Sequence, residues 1–168
     1  MTRKVDKELL TRVSSFLCNY KGKKAYLSSI KDSTPREVLV YYVSSSLQID
    51  IVYSILDNLK ERFGKVTNPE TFLYLDQGIQ YIHLEFQKRI RDIRVRQSMP
   101  HRGNYLNNAR LEPFWGHMND EWEYKDYPAF ESMELTQKDY MEEYNYTRYQ
   151  CTLKKIASVE YRNHLVSA

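Results

Sequence analysis

The chain has 168 residues, 42% of them hydrophobic and 28% charged, with a formal net charge of +3. That length and apolar content support one domain with a real core, and so small a net charge excludes a polycation that coats nucleic acid over its whole surface. Two cysteines, Cys18 and Cys151, without a Cys-x-x-Cys pair exclude a disulfide scaffold or a cysteine zinc site and fit a reduced intracellular compartment.

Met1 to Lys7 is polar and lacks the apolar stretch of a signal peptide,. Residues 1–8 are expected to be a disordered N-terminal segment. Leu10 to Leu17 reads as a strand, Asn19 to Lys23 with Gly22 as a turn, and Lys24 to Ile30 as a second strand,. Asp32 to Pro35 breaks the pattern, and Val38 to Val43 reads as a third strand, which makes an antiparallel meander. Leu47, Ile51, Val52, Ile55, Leu59 and Phe63 then fall at helical spacing, with Ser46 as the expected N-cap and Gly64 as the stop,. Thr71 to Leu75 is a short apolar strand, and Phe86, Ile90 and Ile93 mark a second amphipathic helix. Gln97 to Asn107 carries Pro100 and Gly103 and reads as a loop,. Leu111, Trp115, Met118 and Trp122 form one apolar helix stripe that belongs to the core,. Thr136-Gln137-Lys138-Asp139 reads as a capping box opening a helix through about Tyr144, and Ser158 as the cap of a last helix through Leu165,. Strand–helix alternation predicts an α/β fold.

No run approaches the ~18 apolar residues of a membrane span. The four histidines lack His-x-x-x-His spacing and read as isolated surface residues. The fifteen tyrosines suit half-buried strand and helix positions. Positive charge is local: Lys21, Lys23 and Lys24 share a turn, and Lys88, Arg89, Arg91, Arg94 and Arg96 line one helix and its exit. Such clusters neutralise phosphates in a salt-dependent way, or else form a solvated helix face.

Two acids stand out by their surroundings. Asp76 ends an apolar run in Leu75-Asp76-Gln77-Gly78-Ile79-Gln80-Tyr81, and Glu112 opens a helical pattern in Glu112-Pro113-Phe114-Trp115-Gly116. Thirty-five residues separate them. Alone, that spacing says little in a chain with 22 acids. Phe86-Gln87, Gln97-Ser98-Met99, Gly103-Asn104 and Asn107-Asn108-Ala109 follow in order between them. Gly22-Lys23-Lys24, Asp32, Arg36-Glu37-Val38 and Tyr42-Val43-Ser44 precede them, and Tyr144-Asn145, Arg148, Gln150 and Val159-Glu160-Tyr161-Arg162 come after. In this order and spacing the chain resembles the integrase-type DDE transposases of bacterial insertion sequences, whose core retroviral integrases share. The resemblance runs from about residue 9 to 165.

The resemblance implies a ribonuclease H-like mixed sheet of about five strands flanked by helices, with a catalytic core over 9–125 and a C-terminal helical extension over 126–168. It implies DNA transposition and integration, by cleavage and strand transfer with Mg2+ or Mn2+, since two ions can bind the attacking and leaving oxygens of a phosphodiester. Asp76 matches the second family aspartate and Glu112 the family glutamate, so both are expected as catalytic residues and metal ligands. Gln77 and Gly78 flank the site. Lys88, Arg89, Arg91, Arg94, Arg96, Arg102 and Asn104 are the candidate DNA contacts. DNA is the expected partner, with a second copy or an intact transposase in a multimer, in the bacterial cytoplasm at the nucleoid.

The first family aspartate corresponds to Arg12. A guanidinium has no lone pair for a metal, and the change from −1 to +1 is expected to weaken metal binding severely. If the first two strands pair about the turn, Arg12 lies opposite Ser29, and Asp32 is ~10 Å away and no substitute. Asn107 stands where the family has Asp, and Pro113 is tolerated only if Glu112 lies in the first helical turn,. The DNA-recognition helices that ordinarily precede such a core are expected to be missing. The alternative is a non-catalytic DNA- or transposase-binding remnant.

Overall fold

Runs such as Ala25-Tyr26-Leu27 and Val38-Leu39-Val40-Tyr41-Tyr42-Val43 fit a pleated, half-buried surface,. The computed structural model describes residues 8–13, 18–64, 70–75, 83–98, 114–118, 120–121 and 126–167. The early residues form β1 (Glu8–Val13), β2 (Cys18–Tyr20), β3 (Lys23–Asp32) and β4 (Val38–Ser44). β3 pairs antiparallel with β1, β2 and β4. The expected meander is present, and Glu8 already belongs to β1 rather than to a disordered segment. Lys21 and Gly22 close the β2–β3 hairpin with φ of 47° and 70°, the left-handed pair that a two-residue type I′ turn needs.

After α1 (Ile49–Phe63), β5 (Phe72–Tyr74) returns parallel to β1. After α2 (Leu84–Asp92), β6 (Arg96–Ser98) lies parallel to β5, so the strand falls where a loop was expected to begin at Gln97. The main sheet therefore runs β4-β3-β1-β5-β6. β7 (Asp126–Tyr127) joins beside β2. Helical residues 114–118 and 120–121 form α3, followed by α4 (Phe130–Tyr146), a 3-10 turn at Cys151–Leu153 and α5 (Ser158–Val166). Leu111 and Trp122 of the expected α3 stripe lie outside the described residues.

Two cores sit on the sheet. Ile30, Leu39, Val40 and Leu73 pack with Ile51, Ile55 and Leu59 of α1 and Phe86 and Ile90 of α2. Ala25, Leu27, Val38 and Val43 pack with Phe114, Trp115 and Met118 of α3 and Met133, Met141 and Tyr144 of α4. Tyr20, Tyr41, Tyr74 and Tyr127 edge this second core, half-buried as expected of them.

Local capping signals were poor guides to helix starts. Gln48, not Ser46, is the N-cap of α1, and its side chain makes no capping bond. The Ser46 N–H donates to Ser44 Oγ at 3.1 Å instead. α4 opens at Phe130, six residues before Thr136, because Phe130 packs edge-on to Tyr20 at 5.2 Å and Met133 is fully buried. Thr136 then lies inside the helix, and its hydroxyl donates to the Ser132 carbonyl at 2.9 Å. Ala157 is the N-cap of α5, while Ser158 Oγ accepts from Gln150 Nε2 at 2.6 Å. Gly64 stops α1 as expected, at φ 65° with its N–H on the Lys60 carbonyl.

The C-terminal helices are stitched to the β3–β4 turn. Asn145 donates to the Val38 carbonyl and accepts from the Val38 N–H, each at 2.9 Å, as a neighbouring strand would. Arg162 of α5 forms an ion pair with the buried Glu37. On β4, Asn58 and Arg62 of α1 donate to the Tyr41 and Leu39 carbonyls, which occupies a sheet edge otherwise open to association.

Candidate active site

β1, β5 and β6 run in one direction, with Leu10 paired to Tyr74 and Tyr74 to Ser98. Their carboxyl ends therefore share one edge, the place where open α/β sheets put ligands. Leu75, directly after β5, is buried, and its N–H reaches the Ser98 carbonyl at 3.4 Å. Arg12 lies two residues beyond Leu10 on β1 and is paired with Ser29 of β3. That is the register expected from the sequence. Asp76, Glu112, Arg102 and Asn104 lie outside the described residues, as do Gln77, Gly78, Asn107 and Pro113.

Asp32 is paired with Leu9, three residues from Arg12, or ~10 Å along the strand,. It is buried, and its Oδ1 accepts the Thr34 N–H at 3.3 Å, which holds the turn into β4. It therefore sits at the turn into β4 and not beside Arg12. Among the described residues no group of three or more His, Cys, Asp or Glu could hold a metal ion.

α3 follows Glu112 in sequence, and its packing is defined. Phe114 is 1% exposed and meets Tyr144 edge-on at 4.8 Å and Trp115 at 5.5 Å. Beneath it lies a residue that sequence reasoning passed over. Lys31 of β3 is 2% exposed, and its Nζ donates to the Tyr144 hydroxyl at 2.7 Å. The same Nζ stands 4.9 Å from the Phe114 ring centre and 5.0 Å from that of Tyr144. Burial, with the nearby Arg36 charge second, lowers the Lys31 ammonium to about 7. A lysine just after an apolar strand run was the available signal.

The basic cluster divides. Arg89 is committed to the fold: Nη1 meets Asp57 of α1 at 2.5 Å, Nε meets Glu85 at 3.1 Å, and the guanidinium lies 4.8 Å from the Tyr53 ring centre. Its charge is thus shared with two carboxylates. Lys88, Arg91, Arg94 and Arg96 are exposed. Arg94 ends α2 at φ 60°, with its N–H on the Arg91 carbonyl and the Val95 N–H on the Ile90 carbonyl. This is a Schellman motif, where glycine is the usual residue.

The other face of the sheet carries a groove of mixed character. An open groove of about 450 Å³ between β4 and α4 is lined by Tyr41, Tyr42, Glu131, Glu134 and Lys138. Burial, then Glu142, Glu134 and Asp139, push the Tyr41 phenol up. The exposed cations Lys88, Arg91, Arg94 and Arg96 lie on the α2 side instead. No helix among the described residues is long and apolar enough to cross a membrane.

Comparison with known proteins agrees with this architecture. Family models described as integrase core domain match residues 14–104 and 112–166. A transposase-like protein of Haemophilus influenzae is 33% identical over 90% of this chain and 68% of its own length. The InsK transposase of insertion sequence IS150 from Escherichia coli is 32% identical over 92% of this chain, which spans about half (53%) of that relative. The HTLV-2 integrase catalytic core, solved with magnesium in a dimeric form, superimposes with a TM-score of 0.63 at 12% identity, over 94% of this chain and 95% of that one. The fold is thus ribonuclease H-like, a mixed sheet with helices on both faces. The chain belongs to the integrase core domain family of insertion-sequence transposases.

Proposed function

We propose that this chain is the catalytic-core part of a DNA transposase with an incomplete metal site, so that DNA cleavage and strand transfer are impaired. Asp76 and Glu112 are the surviving acids, and Arg12 occupies the first position. The observation that carries this reading is the register of β1: Arg12 pairs with Ser29, and the one nearby acid of β3, Asp32, pairs three residues away.

The donor set fits Mg2+ or Mn2+ only in part. Two carboxylates suit a hard cation that keeps several waters, but a guanidinium contributes no ligand and opposes the charge. In this reading Asp76 and Glu112 hold the metal, Arg12 weakens it, and Lys88, Arg91, Arg94 and Arg96 meet phosphates, with Arg102 and Asn104 as further candidate contacts. The dimeric form of the HTLV-2 core and the family's action on DNA support a multimer on DNA, in the bacterial cytoplasm. Arg12 favours one second reading, a non-catalytic subunit that pairs with an intact transposase and inhibits it.

Two measurements test the proposal. Affinity for labelled transposon-end DNA is expected to fall with salt, and Lys88→Gln or Arg91→Gln to reduce the log–log slope by about 1 each. With Mn2+ present, strand cleavage is expected to stay at background. A flat salt dependence removes the α2 interface, and cleavage by the unaltered chain removes the impairment.

Arg94 carries its own prediction. A side chain in the left-handed region costs about 1 kcal/mol relative to glycine. Arg94→Gly is expected to raise unfolding stability by about 1 kcal/mol in urea titration while weakening DNA binding. A loss in stability would show that the arginine stem packs usefully there.

A further inference from the structure

Lys31 is the one buried lysine among the described residues, and nothing in the reading above uses it. It bridges three elements: its own strand β3, Phe114 of α3 and Tyr144 of α4. We propose that Lys31 is a positioning residue whose amino group, held by the Tyr144 hydroxyl and the rings of Tyr144 and Phe114, seats α3 on the sheet when neutral and loosens that seat when protonated. The consequence for Glu112, two residues before Phe114, rests on the metal-site reading given above.

A cation over an aromatic face is attracted by the ring quadrupole, and a neutral amine is not. Desolvation disfavours the charged form, and it brings the ammonium to about 7 with Arg36 adding repulsion. Burial thus outweighs the pull of the rings, so the seat of Phe114 is tighter above about pH 7 and loosens below it,. The groups around Nζ leave Lys31 as the one that changes charge. Burial pushes the Tyr144 phenol well up and Tyr140 up to about 12. Both stay neutral near pH 7. Arg36 in the β3–β4 turn, Arg148 behind Tyr140 and Arg162 on α5 stay cationic, with Glu37 ion-paired to Arg162. Gln150 hydrogen-bonds Tyr144 and is neutral. His117 is exposed on α3, two residues from Trp115.

Trp115 reports on the contact, since its ring lies 5.5 Å from Phe114 and is 3% exposed. In a Trp122→Phe background its emission is expected to titrate with a midpoint near pH 7. The transition is expected to vanish in Lys31→Met and in Lys31→Arg, which stays charged and covers the case in which Met disturbs folding. It is expected to persist in His117→Gln and Glu112→Gln. Flat emission in the parent, a transition that survives both Lys31 variants, or one lost with His117 or Glu112 overturns the proposal. Mn2+ titration separates this from the metal-site reading. If Mn2+ binds, its affinity is expected to change about fivefold more between about pH 6 and about pH 8 in the parent than in Lys31→Arg. An equal change in both overturns the effect on the site. If Mn2+ binds at no pH, the metal-site reading fails and the emission titration alone decides the role of Lys31.

Discussion

Lys31→Met is expected to stabilise the fold at pH 7 by about 3 kcal/mol, with the gain shrinking as pH rises toward 10. The ammonium falls from 10.5 to about 7 on folding, and each tenfold change in proton affinity is worth about 1.4 kcal/mol. Burial of the charge thus costs on the order of 5 kcal/mol where lysine is protonated in both states. Methionine removes that cost but gives up the Tyr144 hydrogen bond and the ring contacts, worth about 2 kcal/mol together. The sign with pH follows from proton counts. Between about 7 and 10.5 the unfolded chain holds more protons at this site, so stability rises with pH. Tyr140 and Tyr144 act oppositely above pH 10, because burial raises both phenols and the folded chain then holds more protons,. Urea titrations of parent and variant from about pH 7 to about pH 9.5 isolate the lysine, since the tyrosines cancel in the difference. A variant less stable at pH 7, or a difference that does not move with pH, would mean that the Tyr144 and ring contacts outweigh desolvation.

The same residue shows how far the sequence could be read. Lys24 to Ile30 was legible as a strand because tyrosine, leucine and isoleucine mark it. Its last two residues, Lys31 and Asp32, were not, because charged residues argue for a loop unless a partner is known. For Lys31 that partner is Tyr144, 113 residues away. The helix starts failed for a related reason. Ser46, Thr136 and Ser158 are sound local caps, but Phe130 against Tyr20 and Gln150 against Ser158 are tertiary contacts that override them. The β1–β3 register was legible because one hairpin turn and the period of two fix every pair beyond it. Arg89 looked like its basic neighbours because nothing local reveals Asp57 on another helix. For the candidate site, Asp76 and Glu112 rest on the segments around them in sequence, and both lie outside the described residues.

Arg12→Asp is expected to raise Mn2+ affinity by at least about a hundredfold, by calorimetric titration, and to bring strand cleavage above background. Two unit charges ~4 Å apart at an effective dielectric near 20 interact by about 4 kcal/mol, and the substitution changes the local charge by two units. Even if water and distance remove more than half of that, about 3 kcal/mol remains, which is the hundredfold stated. Arg12→Ala removes the repulsion without adding a ligand, so its gain is expected to fall between parent and Arg12→Asp. Asp32→Asn supplies the converse control. Asp32 pairs with Leu9, three residues from Arg12, and is occupied with the Thr34 N–H, so its neutralisation is expected to leave Mn2+ affinity unchanged. A fall in affinity on Asp32→Asn would make that carboxylate a ligand despite the register. Equal affinities in Arg12→Asp, Arg12→Ala and the parent would remove Arg12 as the main defect and shift it to the residues around Glu112, Pro113 and Asn107 among them. Higher affinity without cleavage would assign the lost chemistry to those positions while keeping Arg12 as the cause of weak metal binding.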